Sequence, residues 1–325
     1  MTEVRRLQMT KSGSYLITLP KEWVKRHQLK EGDPLSLEVM DGALLVSAET
    51  MEPRKVTIAL ERAVSLEREI RAKYLLGFEI IEITAEQRLS KEHRERIKDT
   101  IHRLIGIEIV DEKANSITLQ CLLHPAALPA KSVLKREYSL AAGMHEEAVE
   151  AFFTLDRELA EAVIRRDDEV DKLYFLLVRQ LRTAVYNVAV AKKLGVTPLE
   201  CLDLRIAAKY IEAIADCAVK IAEGAISMRE LHTTIPKGLC NKIEELHEKA
   251  RLIHEEAVEA LLKSDVKGAE EISREAAELS STLNSVNKEI VAQKPPLVAQ
   301  LLSISANLYQ IGELGLDIAE LVATY

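Results

Sequence analysis

The chain has 325 residues, 47% apolar and 30% charged, which is too long for one core and too apolar for a disordered polymer. A net charge of −8 excludes a nucleic-acid contact spread over the whole surface, so any such contact is confined to a local basic patch. The four cysteines (Cys121, Cys201, Cys217, Cys240) are too far apart for a zinc knuckle or redox pair. With no signal-peptide core and no run near the roughly 18 apolar residues of a membrane span, they point to a soluble cytoplasmic protein.

Residues 1–50 read as two short β units around a helix. "SYLITLP" is strand-like. "KEWVKRHQL" follows Pro20, whose missing N–H costs nothing before a first turn, and Gly32 is the expected helix stop. "LSLEVM" and "ALLVSA" flank Asp41-Gly42, the signature of a tight hairpin. About fifty such residues cannot bury a stable core alone, so a homodimer is expected, with Trp23 packed inside it. Charge is sorted here too. Arg5, Arg6, Lys11, Lys21, Lys25, Arg26 and Lys30 face only Glu3 and Glu22 in the first thirty residues. That concentration suits either a solvated surface or a contact with a phosphate backbone.

"GSYLITLPKEWVKRHQLKEGDPLSLEVMDGALLV" resembles the swapped-hairpin DNA-binding domains of the AbrB and MazE type. The resemblance implies two chains interlocked in one small β-barrel that presents Arg5, Arg6, Lys11, Lys21, Lys25 and Arg26 to DNA.

Residues 53–128 alternate strand and helix signals in the order β-α-β-α-β-β, which predicts a small α+β domain serving as spacer or dimerisation module. Its helices end at Gly77 and Gly106, and Ser90 is an N-cap for the second. His93, His102 and His124 are scattered, and no glycine-rich phosphate loop occurs. "HPAALPAK" at 124–131 is the candidate linker.

From 132 to 325 only helical periods remain. "HEEAVEA" occurs at His145 and again at His254, 109 positions on, and "IADCAVKIAE" at Ile214 meets "IGELGLDIAE" at Ile311, 97 positions on. A three-helix unit duplicated into six helices follows, with repeats at about 132–230 and 236–325 and with glycine-free breaks expected near Arg166 and Asp265. The first copy carries "RRDDEVDKL", expected at the start of its middle helix, with Asp167 and Asp171 four apart. It also carries "YIEAIADCAVKIAE", with Glu212 and Asp216 four apart. Like charges at that spacing repel. They form either a solvated stripe, with Asp216 on Lys220 and Asp167 near a helix N-terminus, or an oxygen-only cation site. The second copy has Ala276, Ser280, Tyr309 and Glu313 at the equivalent positions, so the carboxylate set is not duplicated.

This half resembles the PhoU family of phosphate-uptake regulators through "RRDDEVDKLYFLLVRQL", "KYIEAIADCAVKIAEG" and the tandem organisation. The resemblance implies multinuclear metal binding at Asp167, Asp171, Glu212 and Asp216, by a divalent ion (magnesium, manganese, calcium, zinc or iron). The chain departs from it at Ala215-Asp216-Cys217, where the family often has Gly-Asp-His. The full order of AbrB-like head, α+β middle and all-α tail of two three-helix bundles resembles archaeal-type phosphate-uptake regulators. It implies a dimeric, non-enzymatic, DNA-binding regulator that senses phosphate status through a metal or a partner protein. The alternatives are a non-DNA regulator that binds a phosphate transporter or histidine kinase, and a metal-dependent helical-bundle enzyme. The last is weakened by the lack of Glu-x-x-His pairs in the carboxylate helices.

Overall fold

The computed structural model describes residues 4–40, 42–48, 53–231 and 235–322, without the side chains of Glu38, Met40, Ser47, Glu275, Ala276 and Ala277. Two compact units emerge, Met1–Arg54 and Lys55–Tyr325.

In the first unit, β1 (Gln8–Met9) pairs antiparallel with β2 (Tyr15–Leu16). Helix α1 (Lys21–Arg26) follows, and β3 (Leu35–Met40) pairs antiparallel with β4 (Ala43–Ala48). The strand expected across "SYLITLP" is thus only two residues long. Met40 lies opposite Ala43, which leaves a two-residue hairpin loop. Gly42 takes φ +72° there, while Asp41 falls outside the described residues. Gly32 is not the helix stop. Gln28 is, at φ +53°, with its own N–H on the Lys25 carbonyl and the Leu29 N–H on the Val24 carbonyl. Gly32 instead serves the next turn, where Asp33 N–H reaches the Lys30 carbonyl and the Asp33 carboxylate accepts from Lys30 N–H at 2.7 Å. No described residue of this unit is buried. Trp23 is half-buried rather than interior, and Met9, Tyr15, Leu16, Ile17 and Val39 are exposed. One chain supplies two ladders but closes no barrel among its described residues.

The second unit opens with β5 (Lys55–Ala59), α2 (Leu66–Leu75), β6 (Ile80–Thr84), α3 (Lys91–His102), β7 (Ile107–Glu112) and β8 (Ser116–Cys121). The sheet order is β5-β6-β8-β7, with β5 and β6 parallel across α2 and the other pairs antiparallel. Alternate residues of β6 and β8 point inward, so Ile81, Ile83, Ile117 and Leu119 form one core with Ile70, Tyr74 and Ile97 of the helices. Ser90 caps α3 by accepting from His93 N–H at 3.1 Å.

The rest is helical: α4 (Ala130–Thr154), α5 (Arg157–Tyr186), α6 (Val188–Leu194), α7 (Pro198–Glu230), α8 (Lys237–Lys263), α9 (Val266–Ile290) and α10 (Pro295–Glu320). Helices α4, α5 and α7 pack as one three-helix set, α8, α9 and α10 as the other, and α7 packs on α10 to join them. The short α6 is an addition to the six expected helices. It is set off by Asn187, whose side chain accepts from Val190 N–H, and by Gly195. The break in the first repeat lies at Leu155–Asp156, not near Arg166. Leu155 turns left-handed (φ +54°) and Asp156 caps α5. Its counterpart repeats the geometry, with Ser264 at φ +56° and Asp265 capping α9. Asp167 is therefore three turns inside α5, too far from the N-terminus for the macrodipole to account for it.

The candidate linker 124–131 is anchored. Gln180 of α5 donates to the Pro125 carbonyl at 2.9 Å and the Leu128 carbonyl at 3.0 Å. Arg179, also buried in α5, donates to the Tyr74 and Phe78 carbonyls at 2.6 and 2.9 Å. These bonds explain why the α+β module and the helices form one compact unit rather than two.

Candidate functional site

Six of the basic residues singled out in the head are exposed. Arg5 and Arg6 precede β1, Lys11 lies in the turn between β1 and β2, and Lys21, Lys25 and Arg26 belong to α1. Lys25 makes a 3.7 Å ion pair with Glu22, both well exposed, which contributes little to stability and leaves Lys25 accessible.

The carboxylates of the first repeat lie on two packed helices, Asp167 and Asp171 on α5, Glu212 and Asp216 on α7. Asp167, Asp171 and Glu212 are half-buried and Asp216 is exposed. Burial, reinforced by Asp171, Asp216, Glu212 and Asp168, pushes the Asp167 carboxyl up to about 6. Burial also raises Asp171, with Asp216 and Asp168 adding to it and Lys209 and Arg71 opposing it. Burial raises Glu212 as well, although its ion pair with Lys209 pulls the other way. The four positions thus share one field. The expected Asp216–Lys220 pair is not formed among the described residues.

A fifth carboxylate joins them. Glu137 of α4 is fully buried, and neither of its oxygens has a hydrogen-bond partner. Burial raises its carboxyl well above the usual range, with Glu212 and Asp171 raising it further and Arg205 and Lys209 opposing. Arg205 and Lys209 are turned to the Tyr174 ring, 4.9 and 5.7 Å from its centroid.

Donor chemistry and placement differ in what they say about a cation here. Five oxygen donors, one of them orphaned in the interior, fit a hard divalent ion. No three His, Cys, Asp or Glu side chains among the described residues converge closely enough to hold one. As they stand, the carboxylates share an electrostatic field without forming a ligand cage. When bound, such an ion would neutralise the mutual repulsion of Asp167, Asp171, Glu212, Asp216 and Glu137.

In the second repeat Leu246, fully buried, stands where Glu137 stands in the first. Ser280 of α9 and Tyr309 and Glu313 of α10 stand at other equivalent positions. One acid, Glu313, therefore stands in the second repeat where the first has four.

The repeated histidines meet where α4 faces α8. His145 Nδ1 is 3.1 Å from His254 Nε2, and His145 Nε2 is 3.1 Å from His247 Nδ1. The Tyr138 hydroxyl closes the row, 2.9 Å from His254 Nδ1. All three imidazoles are buried and burial depresses each, His254 to about 3. As neutral rings, each donating through one nitrogen and accepting through the other, they satisfy one another in sequence. The same offset of 109 that pairs His145 with His254 pairs Tyr138 with His247, so the row runs across the relation between the repeats.

Sequence reasoning missed both Glu137 and the histidine row. The signal for Glu137 was its place on the apolar seam Leu134, Glu137, Ala141, His145, Ala148, Phe152.

Comparison with known proteins follows these boundaries. The PhoU domain model matches residues 134–225 and 243–322, together just over half of the chain. The family model described as antidote-toxin recognition MazE, bacterial antitoxin, matches residues 8–55. No curated protein matches the chain significantly. Among solved structures, PhoU from Pseudomonas aeruginosa is similar at 22% identity and TM-score 0.53, over 59% of this chain and 93% of that one. The phosphate transport system regulatory protein PhoU from Streptococcus pneumoniae is similar at 15% identity and TM-score 0.51, over 59% of this chain and 91% of that one.

Proposed function

This chain belongs to the PhoU family of phosphate homeostasis, and from that premise we propose that it is a DNA-binding transcriptional regulator of phosphate uptake. The observation that carries the DNA half is the exposed cationic set of a MazE-like head within a chain of net charge −8. Neutralising phosphates releases counterions, so affinity depends steeply on salt. The head acts as a homodimer, since its exposed apolar strands have no core of their own to cover them.

In this reading the helical half is the sensor. Asp167, Asp171, Glu212 and Asp216 hold a divalent cation, and the charge state of that site reports phosphate status directly or through a partner protein. The raised carboxyl of Asp167 and the orphaned Glu137 support a site whose charge is incomplete without a ligand. No helix among the described residues is long and apolar enough to cross a membrane, so contact with a phosphate transporter would be made from the membrane surface or through a signalling protein.

The test is binding of the full chain to genomic DNA fragments over a salt series. Replacing Arg5, Arg6 and Lys11 by Gln is expected to weaken binding to all sequences and to flatten the salt slope by about 0.9 for each phosphate no longer neutralised. Unchanged affinity and slope would overturn the DNA assignment and favour a regulator that works through protein contacts alone.

A further inference from the structure

We propose that the cleft where α2 and α3 of the sheet module meet α5 binds inorganic phosphate, held by Arg71 and Arg103. This rests on the sensor reading above and gives it a ligand, with basic residues that lie apart from the carboxylates paired along α5 and α7.

The cleft has a volume of about 170 Å³. Arg71 comes from α2, Asp99 and Arg103 from α3 and its C-cap, and Asp171 and Phe175 from α5, so three helices close it. Sites for drug-sized molecules occupy about 300–1,000 Å³, so the room here suits a small hydrated ion rather than a nucleotide.

The arginines around the cleft differ in what they are free to do. Arg96 is committed to Glu67, which it grips through two nitrogens. Arg71 lies over the Phe175 ring, 5.4 Å from its centroid, a contact that holds the guanidinium and takes up none of its N–H groups. Among the described residues neither Arg71 nor Arg103 forms an ion pair or hydrogen bond through its guanidinium, although Asp99 stands one turn before Arg103. Two free guanidinium forks lining one cleft are a donor set for an oxyanion with several equivalent oxygens.

Asp99 and Asp171 decide which oxyanion. A carboxylate beside the arginines repels an anion that has no proton to share, such as sulfate. Inorganic phosphate keeps at least one proton near neutral pH, and a carboxylate accepts it in a charge-assisted hydrogen bond. A phosphate monoester, with a second pKa of about 6, arrives without that proton. Mixed donors and acceptors therefore fit the free ion, its bare oxygens on Arg71 and Arg103 and its hydroxyl on one of the carboxylates. An occupied cleft would tie α2 and α3 to α5.

The experiment is calorimetric titration of the full-length protein with inorganic phosphate, sulfate and methyl phosphate at about pH 8, where the monoester is fully ionised. A chelator is present throughout, so that phosphate carried in by a divalent cation is not counted. The unmutated chain is expected to bind phosphate, and to bind sulfate and methyl phosphate at least tenfold more weakly. Arg71→Gln/Arg103→Gln is expected to weaken phosphate binding at least tenfold while still melting cooperatively. Arg71→Lys/Arg103→Lys keeps the charges and loses the forks, and covers the case in which the glutamine pair does not fold; it is expected to bind phosphate at least threefold more weakly. Asp99→Asn/Asp171→Asn is expected to narrow the gap between phosphate and sulfate. Phosphate binding unchanged in a folded arginine variant, or sulfate bound within tenfold of phosphate, overturns the proposal. So does a chain that takes up phosphate only once Mn²⁺ replaces the chelator, and equally in the arginine variants; that result would leave the cation reading standing. Absence of any phosphate binding overturns the cleft assignment alone, since the DNA reading is decided by the salt series.

Discussion

Acidification is expected to destabilise the unit Lys55–Tyr325 through its buried imidazoles, and the size of the effect follows from their burial. A base whose folded pKa lies below its unfolded value is favoured neutral in the fold. Below the unfolded pKa the open chain therefore binds a proton that the folded chain refuses, and stability falls as pH falls. For His254, held near 3 against an ordinary 6.5, the loss between about pH 7 and about pH 5 is about 2 kcal/mol. His145, fully buried between two other imidazoles and near Arg251, is depressed as well and shifts stability in the same direction. His247 adds less, because Glu248 and Glu244 oppose its burial. His254 alone, at about 2–4 °C per kcal/mol, lowers the melting temperature by on the order of 5 °C, and the other two imidazoles act in the same direction.

The raised carboxyls act in the opposite sense. Asp167, held near 6, favours the fold more as pH falls through 6, though its half-exposed position screens the effect. The assay therefore compares the unmutated chain with Tyr138→Phe/His145→Leu/His247→Leu/His254→Leu, in which all partners are removed together and no polar atom of the row is left orphaned. Both proteins carry the same carboxyls, so the difference between their melting shifts isolates the imidazoles. Equal shifts in the two proteins would refute the reasoning, since the histidines would then be protonated in the fold or solvated.

Two further outcomes are expected. Full-length protein should sediment as a dimer, and Leu37→Glu/Val39→Glu on the exposed face of β3 should dissociate the head contact, seen as loss of head-to-head cross-links. Unaltered cross-linking would count against interlocked strands. Gly315→Ala would place a Cβ 2.8 Å from the His254 backbone and is expected to cost about 1–3 kcal/mol in urea unfolding, whereas Gly143→Ala in α4 meets nothing nearer than 3.9 Å and should gain a few tenths to about 1 kcal/mol. Equal effects at the two glycines would mean that α10 and α8 are not in close contact at Gly315.

What was legible in the sequence is what is local. Ser90 and Gly77 act within a few residues, and each marks a helix end where the chain pattern says it should, whereas α3 already ends at His102 and Gly106 instead turns the chain into β7. The Leu155–Asp156 break is not legible, because a leucine in the left-handed region carries no turn signal. Only its counterpart Ser264–Asp265, recognised through the repeat, gives it away. Without that break Asp167 falls at a helix start, where the macrodipole becomes a tempting account of it. Glu137 and the histidines are hidden for a different reason. The bonds that join the histidine row span 102 to 116 positions, and a glutamate in a charged helix reads as surface unless its place on the seam is checked against Leu246. No described residue of the head is buried, as length and composition anticipate for about fifty residues that cannot enclose a core alone.

The bonds from Arg179 and Gln180 have a mechanical consequence. Without the Gln180 amide the Pro125 and Leu128 carbonyls would lose its hydrogen bonds, whereas the Tyr74 and Phe78 carbonyls, which Arg179 also serves, would keep those from Gly77 N–H and Cys121 Sγ. Small displacements of α5 are therefore transmitted rather than absorbed. Asp167 and Asp171 sit on the same rod, about three and two turns before Arg179. A tilt of α5 produced where those carboxyls gather would be carried into the sheet module through the end of α2 and the segment 124–131, as through a rigid coupling.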